Sequence, residues 1–186
     1  MTTNPVRVLL ISSSLRAGAG STSLLQTVPE VVNPAEVRAD MYFGMAALPH
    51  FNPDDDFDPV PPPVARLRAA IAEADALLFA TPEYAGNLPG SFKNLLDWTV
   101  GSNDIGGKPC ACLNTAAPGR GGGADAALRG VLGYTDADLV ADASVRISVG
   151  RDAIDTEHGT VSDPDARKAL AAAVETLVAY VRGVRP

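Results

Sequence analysis

The residues best suited to binding a charged ligand follow the first apolar run of the chain. Residues 12–23 read SSSLRAGAGSTS, which combines several hydroxyl groups, the guanidinium group of Arg16 and flexible glycines. A helical pattern begins directly afterwards, with Ser21 or Thr22 as a candidate N-cap. Free N–H groups and the dipole at a helix N-terminus favour an anion, and Arg16 would add a charge-assisted contact to phosphate. The segment therefore indicates either a phosphate site or a flexible serine-rich turn.

A second distinctive segment, residues 81–98, reads TPEYAGNLPGSFKNLLDW. It is preceded by a short apolar run at residues 76–80, which is typical of a strand buried on both faces. It ends in a helical pattern, for which Pro89 and Gly90 suit the first turn. In an open α/β sheet, a loop that follows a parallel strand lies beside the ligand crevice. We therefore expect this loop to border a ligand.

No pattern for acid–base, nucleophilic or metal-dependent catalysis is visible in the sequence. His50 and His158 have no nucleophile motif nearby, so we expect them in surface or loop positions. The acidic run at residues 54–58 lacks the spacing of a calcium-binding loop and is interpreted as a solvated loop. Cys110 and Cys112 are expected to be reduced thiols on opposite faces of a strand, which disfavours metal chelation by the pair.

The elements that must position these loops alternate between strand and helix patterns. Strands are predicted at residues 6–11, 37–41, 76–80, 109–115 and within 140–149. Helices are predicted at residues 21–32, 61–74, 124–132 and 163–181, with another that begins near Pro89. Pro29 predicts a kink or an early end in the first of them.

This alternation predicts a parallel sheet with helices on both faces. Five strands fit the flavodoxin-like order 2-1-3-4-5, an α/β/α sandwich of three layers. Its switch point lies between the first and third strands. Both distinctive loops then open at that point, which favours a ligand site there.

Composition limits the classes of function. The chain has 186 residues and 46% hydrophobic content, so we expect a single domain over residues 1–186. A net charge of −7 and a pI near 4.7 disfavour nucleic acid as a partner. No apolar run approaches the roughly 20 residues of a membrane helix, and none resembles a signal peptide. We expect a cytoplasmic protein without a membrane partner.

Taken together, these motifs resemble those of the NAD(P)H-dependent FMN reductase family, which includes flavodoxin-like quinone, chromate and azo-dye reductases. The resemblance covers residues 8–132 and is most specific in residues 81–98. It implies FMN as the cofactor, NADPH or NADH as the electron donor, and a quinone or another small electrophile as the acceptor. Hydride transfer would pass through the flavin N5 in a ping-pong cycle, so no side chain is assigned a catalytic role.

The resemblance also implies which residues hold the flavin. The phosphate would lie on the loop after the first strand, at Ser14, Arg16, Ser21, Thr22 and Ser23. The isoalloxazine ring would be bordered by the loops after the third and fourth strands. The residues implied there are Pro82, Glu83, Tyr84, Gly86, Asn87, Ala117 and Gly119.

The chain departs from the family pattern at several positions. Asn is common in the family where this chain has Ser23 and Ala85, and the first loop is two residues longer than usual. The resemblance further implies a homodimer or a tetramer whose interface includes Lys93, Asn94 and Trp98. Burial of Trp98 within the monomer core is the alternative.

Other functions stay open at the level of sequence. One is a flavin reductase that uses FMN as an exchanging substrate, and another is a non-enzymatic flavin-binding module for electron transfer. A third is a dinucleotide-dependent dehydrogenase, suggested by Gly18, Gly20 and a possible ribose-binding acid at Asp40. Its third glycine position is occupied by Ser23, so this match is weak.

Overall fold

A five-stranded parallel sheet forms the centre of the computed structural model, which describes residues 4–184. The strand order is β2-β1-β3-β4-β5. The strands are Val6–Ser12 (β1), Val37–Met41 (β2), Ala76–Thr81 (β3), Pro109–Asn114 (β4) and Asp138–Leu139 (β5). The helices are Gly20–Gln26 (α1), Val28–Val31 (α2), Pro62–Glu73 (α3), Gly90–Asp97 (α4), Gly122–Tyr134 (α5) and Pro164–Val184 (α6). The predicted fold class and strand order are confirmed.

Each face of the sheet carries its own apolar core. Along β1, Val8 and Leu10 pack on the face covered by α1 and α6, whereas Leu9 and Ile11 pack against α3, α4 and α5. Every residue of β3 is buried, as expected for an inner strand of a parallel sheet covered by helices on both sides. Because the strands are packed between these two cores, the ends of the strands fix where the loops at the carboxyl edge begin.

The first predicted helix is divided as its proline indicated. α1 ends at Gln26, and α2 begins at Val28 with Pro29 in its first turn. At the break, the Thr27 hydroxyl donates to the Ser23 carbonyl at 2.7 Å and accepts from the Val161 N–H at 2.8 Å. The predicted N-cap was wrong, because Ala19 occupies the cap position without a side-chain hydrogen bond and Ser21 and Thr22 lie inside the helix.

The fifth strand differs from its prediction. β5 begins before Val140, and the chain then leaves the sheet in a 3-10 turn, Ala141–Ala143. Parallel pairing resumes further on, where Ile147 donates to the Asn114 carbonyl at 3.0 Å. The strand predicted within residues 140–149 is thus replaced by an isolated bridge between Arg146 and Asn114, and β5 itself lies before that segment. A short antiparallel pair, Ile154–Asp155 (β6) and Thr160–Val161 (β7), was not predicted.

Trp98 lies in the core of the monomer. Its side chain is fully buried, its indole N–H donates to the Pro49 carbonyl at 2.9 Å, and its ring meets Phe51 edge-to-face at 5.0 Å between centroids. Asn94 also bonds within the chain, accepting from the Phe51 N–H at 2.7 Å. The expectation that Trp98 anchors a dimer interface was therefore wrong, because the segment before α3 already covers its ring.

The two cysteines share one environment. Both lie in the core beneath α3, α4 and α5, so the expectation of opposite faces was wrong: side chains two positions apart on a strand point the same way. Burial raises the pKa of the Cys110 thiol to about 12, and it raises the pKa of Cys112 as well. Both are therefore protonated, unreactive thiols near neutral pH. Within residues 4–184, no helix has the length and apolar character needed to cross a bilayer.

Candidate functional site

The carboxyl edge of the sheet brings the loops after β1 and β3 into contact. The Ser13 N–H donates to the Ala80 carbonyl at 3.0 Å, and the buried Ser13 hydroxyl donates to the Thr81 hydroxyl at 2.8 Å. Further out, the hydroxyl oxygens of Ser14 and Tyr84 lie 3.3 Å apart. The two loops singled out in the sequence thus form one continuous polar surface.

The loop after β1 is shaped by its own hydroxyl groups. The Ser12 Oγ atom lies 2.8 Å from the Thr22 Oγ1 atom and 3.2 Å from the Ser21 Oγ atom. Ser14 Oγ accepts from the Arg16 N–H at 3.2 Å, which turns the chain towards α1. These partners lie within one short stretch of sequence, and Ser13 adds the bonds to β3 described above.

Part of this loop opens into a cleft of about 260 Å³. Ser14, Arg16 and Thr22 line one side of it, and Tyr42 and Phe43 after β2 line the other. Arg16 is exposed and makes no ion pair with any residue in the described range 4–184. Its charge is available to an anion.

The first turn of α1 adds backbone donors. Because the helix begins after Ala19 without a side-chain cap, the N–H groups of Gly20, Ser21 and Thr22 have no acceptor among residues 4–184. The Ser21 hydroxyl is buried against Ser12. The Ser23 hydroxyl is buried without a partner in the described chain, and the Ser23 N–H is bonded to Ala19. The Ser23 N–H is therefore not among the free donors of this turn, and a contact of its hydroxyl with phosphate stays a prediction.

The loop after β3 is a tight backbone turn. Tyr84 and Asn87 exchange two hydrogen bonds of 3.0 Å between their main chains. The two central residues, Ala85 (φ +50°) and Gly86 (φ +73°), have left-handed conformations, as in two-residue hairpin turns of type I′. Tyr84 is 49% exposed, whereas the Asn87 Oδ1 atom accepts from the Leu88 N–H at 2.7 Å. The turn offers backbone groups and one tyrosine ring to a ligand.

The side chain of Glu83 is bonded to α5. Its carboxylate accepts hydrogen bonds from the N–H groups of Gly123 at 2.8 Å and Ala124 at 3.2 Å, in the first turn of α5. These bonds, the one from Ala124 above all, hold the pKa of the Glu83 carboxyl below its usual value. The carboxylate is therefore occupied by the N-terminus of α5, and the place of the Glu83 backbone at the ring stays a prediction.

The loop after β4 is fixed from two sides. The buried Asn114 amide donates to the Gly121 carbonyl at 2.9 Å and accepts from the Ala116 N–H at 3.1 Å. The Arg146 guanidinium donates to the carbonyls of Ala116, Ala117 and Arg120 at 3.1, 3.3 and 2.7 Å. Ala117 and Gly119, both predicted to border the ring, are exposed on this loop.

Sequence reasoning missed the residues that shape this loop. Asn114 could have been predicted, because a polar residue at the end of a buried strand before a glycine-rich loop is placed to bond that loop. Arg146 carried no such signal, because its partners lie at least 26 positions away. His50 and His158 are exposed, as predicted, and His158 Nδ1 lies 2.8 Å from an Asp155 oxygen. Among residues 4–184, no three metal-ligating side chains are placed to hold an ion.

The fold defines a flavodoxin-like protein with a continuous polar surface at the carboxyl edge of β1 and β3. Comparison with known proteins gives the family: the sequence model of the NADPH-dependent FMN reductases matches residues 6–152. This chain belongs to that family.

Individual relatives agree with this assignment. The chain is 35% identical over 184 residues to an NAD(P)H-dependent FMN reductase of Pseudomonas aeruginosa, covering 97% of both chains. It is 33% identical over 185 residues to a 2-hydroxy-1,4-benzoquinone reductase of a Burkholderia species, covering 97% of this chain and 98% of the relative. A flavoenzyme NAD(P)H:acceptor oxidoreductase from Paracoccus denitrificans superposes with a TM-score of 0.81 at 27% identity, covering 96% of this chain and 98% of that one.

Proposed function

We propose that this chain is an FMN-dependent oxidoreductase that passes electrons from NAD(P)H to a quinone or another small electrophile. The observation that carries the proposal is the contact between the loops after β1 and β3, with the Ser14 and Tyr84 hydroxyl oxygens 3.3 Å apart. One loop offers hydrogen-bond donors to an anion, and the other offers a turn with an exposed aromatic ring. A phosphate and a planar ring on one molecule need both features side by side.

The loop after β1 fits a phosphate group. Ser14 and Thr22 present hydroxyl groups to the cleft, and Arg16 presents a charge without an ion pair among residues 4–184. The uncapped N–H groups of Gly20 and Ser21 supply donors that need no side chain. The buried Ser12 hydroxyl would hold Thr22 in place, and it is not proposed to contact the phosphate itself.

The loops after β3 and β4 fit the ring. Pro82, Tyr84 and Asn87 would border it through the turn, and Gly86 lets the backbone approach closely because it has no side chain. Ala117 and Gly119 would border it from the loop after β4. When bound, FMN supplies the redox chemistry, accepting two electrons from NAD(P)H and delivering them to the acceptor. The protein then has to bind, orient and partly expose the ring.

The visible spectrum of the purified protein tests this function. We expect flavin absorption bands, rapid bleaching on anaerobic addition of NADPH or NADH, and recovery of the bands when a benzoquinone is added. A colourless protein that binds dinucleotide but no flavin would instead be a dehydrogenase. Flavin bands that neither nucleotide bleaches would indicate an electron-transfer module. Turnover that requires free FMN, with reduced FMN released to the medium, would indicate the exchanging flavin reductase.

The domain organisation, location and oligomeric state of the enzyme are also proposals. We propose a single domain over residues 1–186 that acts in the cytoplasm as a homodimer, with a tetramer as the larger alternative. The benzoquinone in the name of the Burkholderia relative supports a protein that works on diffusing small molecules. Sedimentation of the full chain gives its mass directly. Trp98→Ala does not test the dimer, since it would open a cavity in the core of each subunit.

A further inference from the structure

The first turn of α5 has no cap of its own. Its sequence begins with three glycines at residues 121–123, and the N-cap position is Gly121 with φ +81°. Glycine has no side chain with which to accept hydrogen bonds from the free N–H groups of a helix start. The carboxylate of Glu83, 40 positions upstream, accepts two of these bonds instead, from Gly123 and Ala124.

The three glycines of this turn have different surroundings. A Cβ atom added to Gly123 would overlap the carbonyl oxygen of Gly86 and lie 3.1 Å from a Glu83 carboxylate oxygen. A Cβ atom added to Gly121 would collide with the Asn114 amide and with Ala116, in a backbone conformation that disfavours side chains. At Gly122, a Cβ atom would meet no atom within 4 Å. Of the three, Gly123 is therefore the position at which any side chain would collide with the turn after β3.

We propose that Glu83 and Gly123 are positioning residues that fasten the turn at residues 82–87 to α5. The carboxylate bonds hold Glu83, at one end of the turn, and the close approach of Gly123 holds Gly86, at its centre. The loop after β4 runs straight into the same helix start, where Asn114 also bonds Gly121. The two loops that border the ring therefore form one unit. This inference rests on the proposed function, because it assigns the unit to the ring of the flavin.

A ring-positioning role predicts a characteristic loss. FMN and riboflavin have the same ring, so a shifted turn should weaken both by the same factor, whereas loss of a phosphate contact weakens FMN alone. Charge-assisted hydrogen bonds are about twice as strong as neutral ones, and we expect at least about a tenfold loss for either flavin. The shape of the bound-flavin spectrum should change as well, because the polar groups around the ring have moved.

The test compares Gly123→Ala with Gly122→Ala, two changes in the same helical turn. We expect Gly123→Ala to weaken FMN and riboflavin equally and to alter the spectrum of bound FMN, whereas Gly122→Ala stays within about twofold of the parent. Glu83→Ala should follow Gly123→Ala, and Glu83→Gln, which keeps an acceptor oxygen, should recover part of the affinity. Thermal unfolding of each apoprotein reports whether the fold is intact.

The outcomes separate this inference from the proposed function. If the parent protein binds no flavin, the proposed function fails. If the parent binds FMN but Gly123→Ala and Glu83→Ala bind both flavins as well as Gly122→Ala does, only the positioning role fails. It fails too if Gly122→Ala and Gly123→Ala lose affinity equally, or if any loss in Gly123→Ala merely parallels a lower melting temperature with an unchanged spectrum.

Discussion

The loops after β1 and β3 lie side by side but are built in opposite ways. The loop after β1 is shaped mainly by hydroxyl groups of its own segment, those of Ser12, Ser14 and Thr22, and Ser13 joins it to β3. The loop after β3 is a backbone turn whose support comes from α5, through Glu83 and Gly123. A side-chain site loses one contact at a time when it is mutated. A backbone turn held from outside moves as a unit, so single changes there should have larger and less selective effects.

The largest effect is expected at the centre of the turn after β3. Gly86 has φ +73°, a conformation that a β-branched residue adopts only at considerable cost. Gly86→Val should therefore reshape the turn and lower FMN affinity by about a hundredfold, which corresponds to strain of about 3 kcal/mol. Equilibrium titration with FMN measures the loss, and circular dichroism checks that the fold is retained.

Gly86→Asn is the matched control for this change. Asn tolerates the left-handed conformation far better than Val, so it should keep most of the affinity. Normal flavin content in folded Gly86→Val protein would show that the turn does not form the site.

The second effect is selective and concerns the loop after β1. Arg16 is unpaired within residues 4–184, so its removal should cost only its contact with the ligand. Arg16→Ala should weaken FMN about ten- to hundredfold, as expected for a hydrogen bond to a charged group, and leave riboflavin unchanged. Parallel titrations of the apoprotein with the two flavins measure this. An equal loss for both would place Arg16 away from the phosphate.

A smaller effect, of opposite sign, is expected beside Gly86. Ala85 has φ +50°, which is unfavourable for Ala and is tolerated by Asn. Ala85→Asn should stabilise the turn by about 1 kcal/mol and tighten FMN binding by about two- to fivefold. Chemical denaturation of the apoprotein and FMN titration check the two parts. Weaker flavin binding in a more stable protein would show that the present turn is not the bound conformation.

The smallest effect is expected at Ser23. Its hydroxyl is buried and has no partner in the described chain, so Ser23→Ala removes no hydrogen bond that the protein makes there. We expect FMN affinity within about twofold of the parent and a stability change below about 1 kcal/mol. Ser14→Ala, which removes a hydroxyl that lines the cleft, is the comparison. A large loss of affinity for FMN alone in Ser23→Ala would show that the Ser23 hydroxyl contacts the phosphate.

The same contrast decides what the sequence could predict. Alternating strand and helix patterns determine which segments are buried and in what order, so the sheet and the meeting of the loops after β1 and β3 were predictable. The loop after β1 was also predictable in outline, since most of its hydrogen-bond partners are neighbours in sequence. The patterns could not reveal that Glu83 reaches α5, that Arg146 clamps the loop after β4 or that Phe51 covers Trp98. These contacts join residues far apart in the chain. The spacing of apolar residues indicates which residues are buried, but not which residues they contact.

The ratio of FMN to riboflavin affinity, measured for the parent and for variants of both loops, tests the central claim most directly. If the two loops form one flavin site, Arg16→Ala should reduce the ratio by about ten- to hundredfold. Gly86→Val and Gly123→Ala should lower both affinities and leave the ratio unchanged. A ratio that shifts with the turn variants but not with Arg16→Ala would contradict the assignment of phosphate to the loop after β1 and of the ring to the loop after β3.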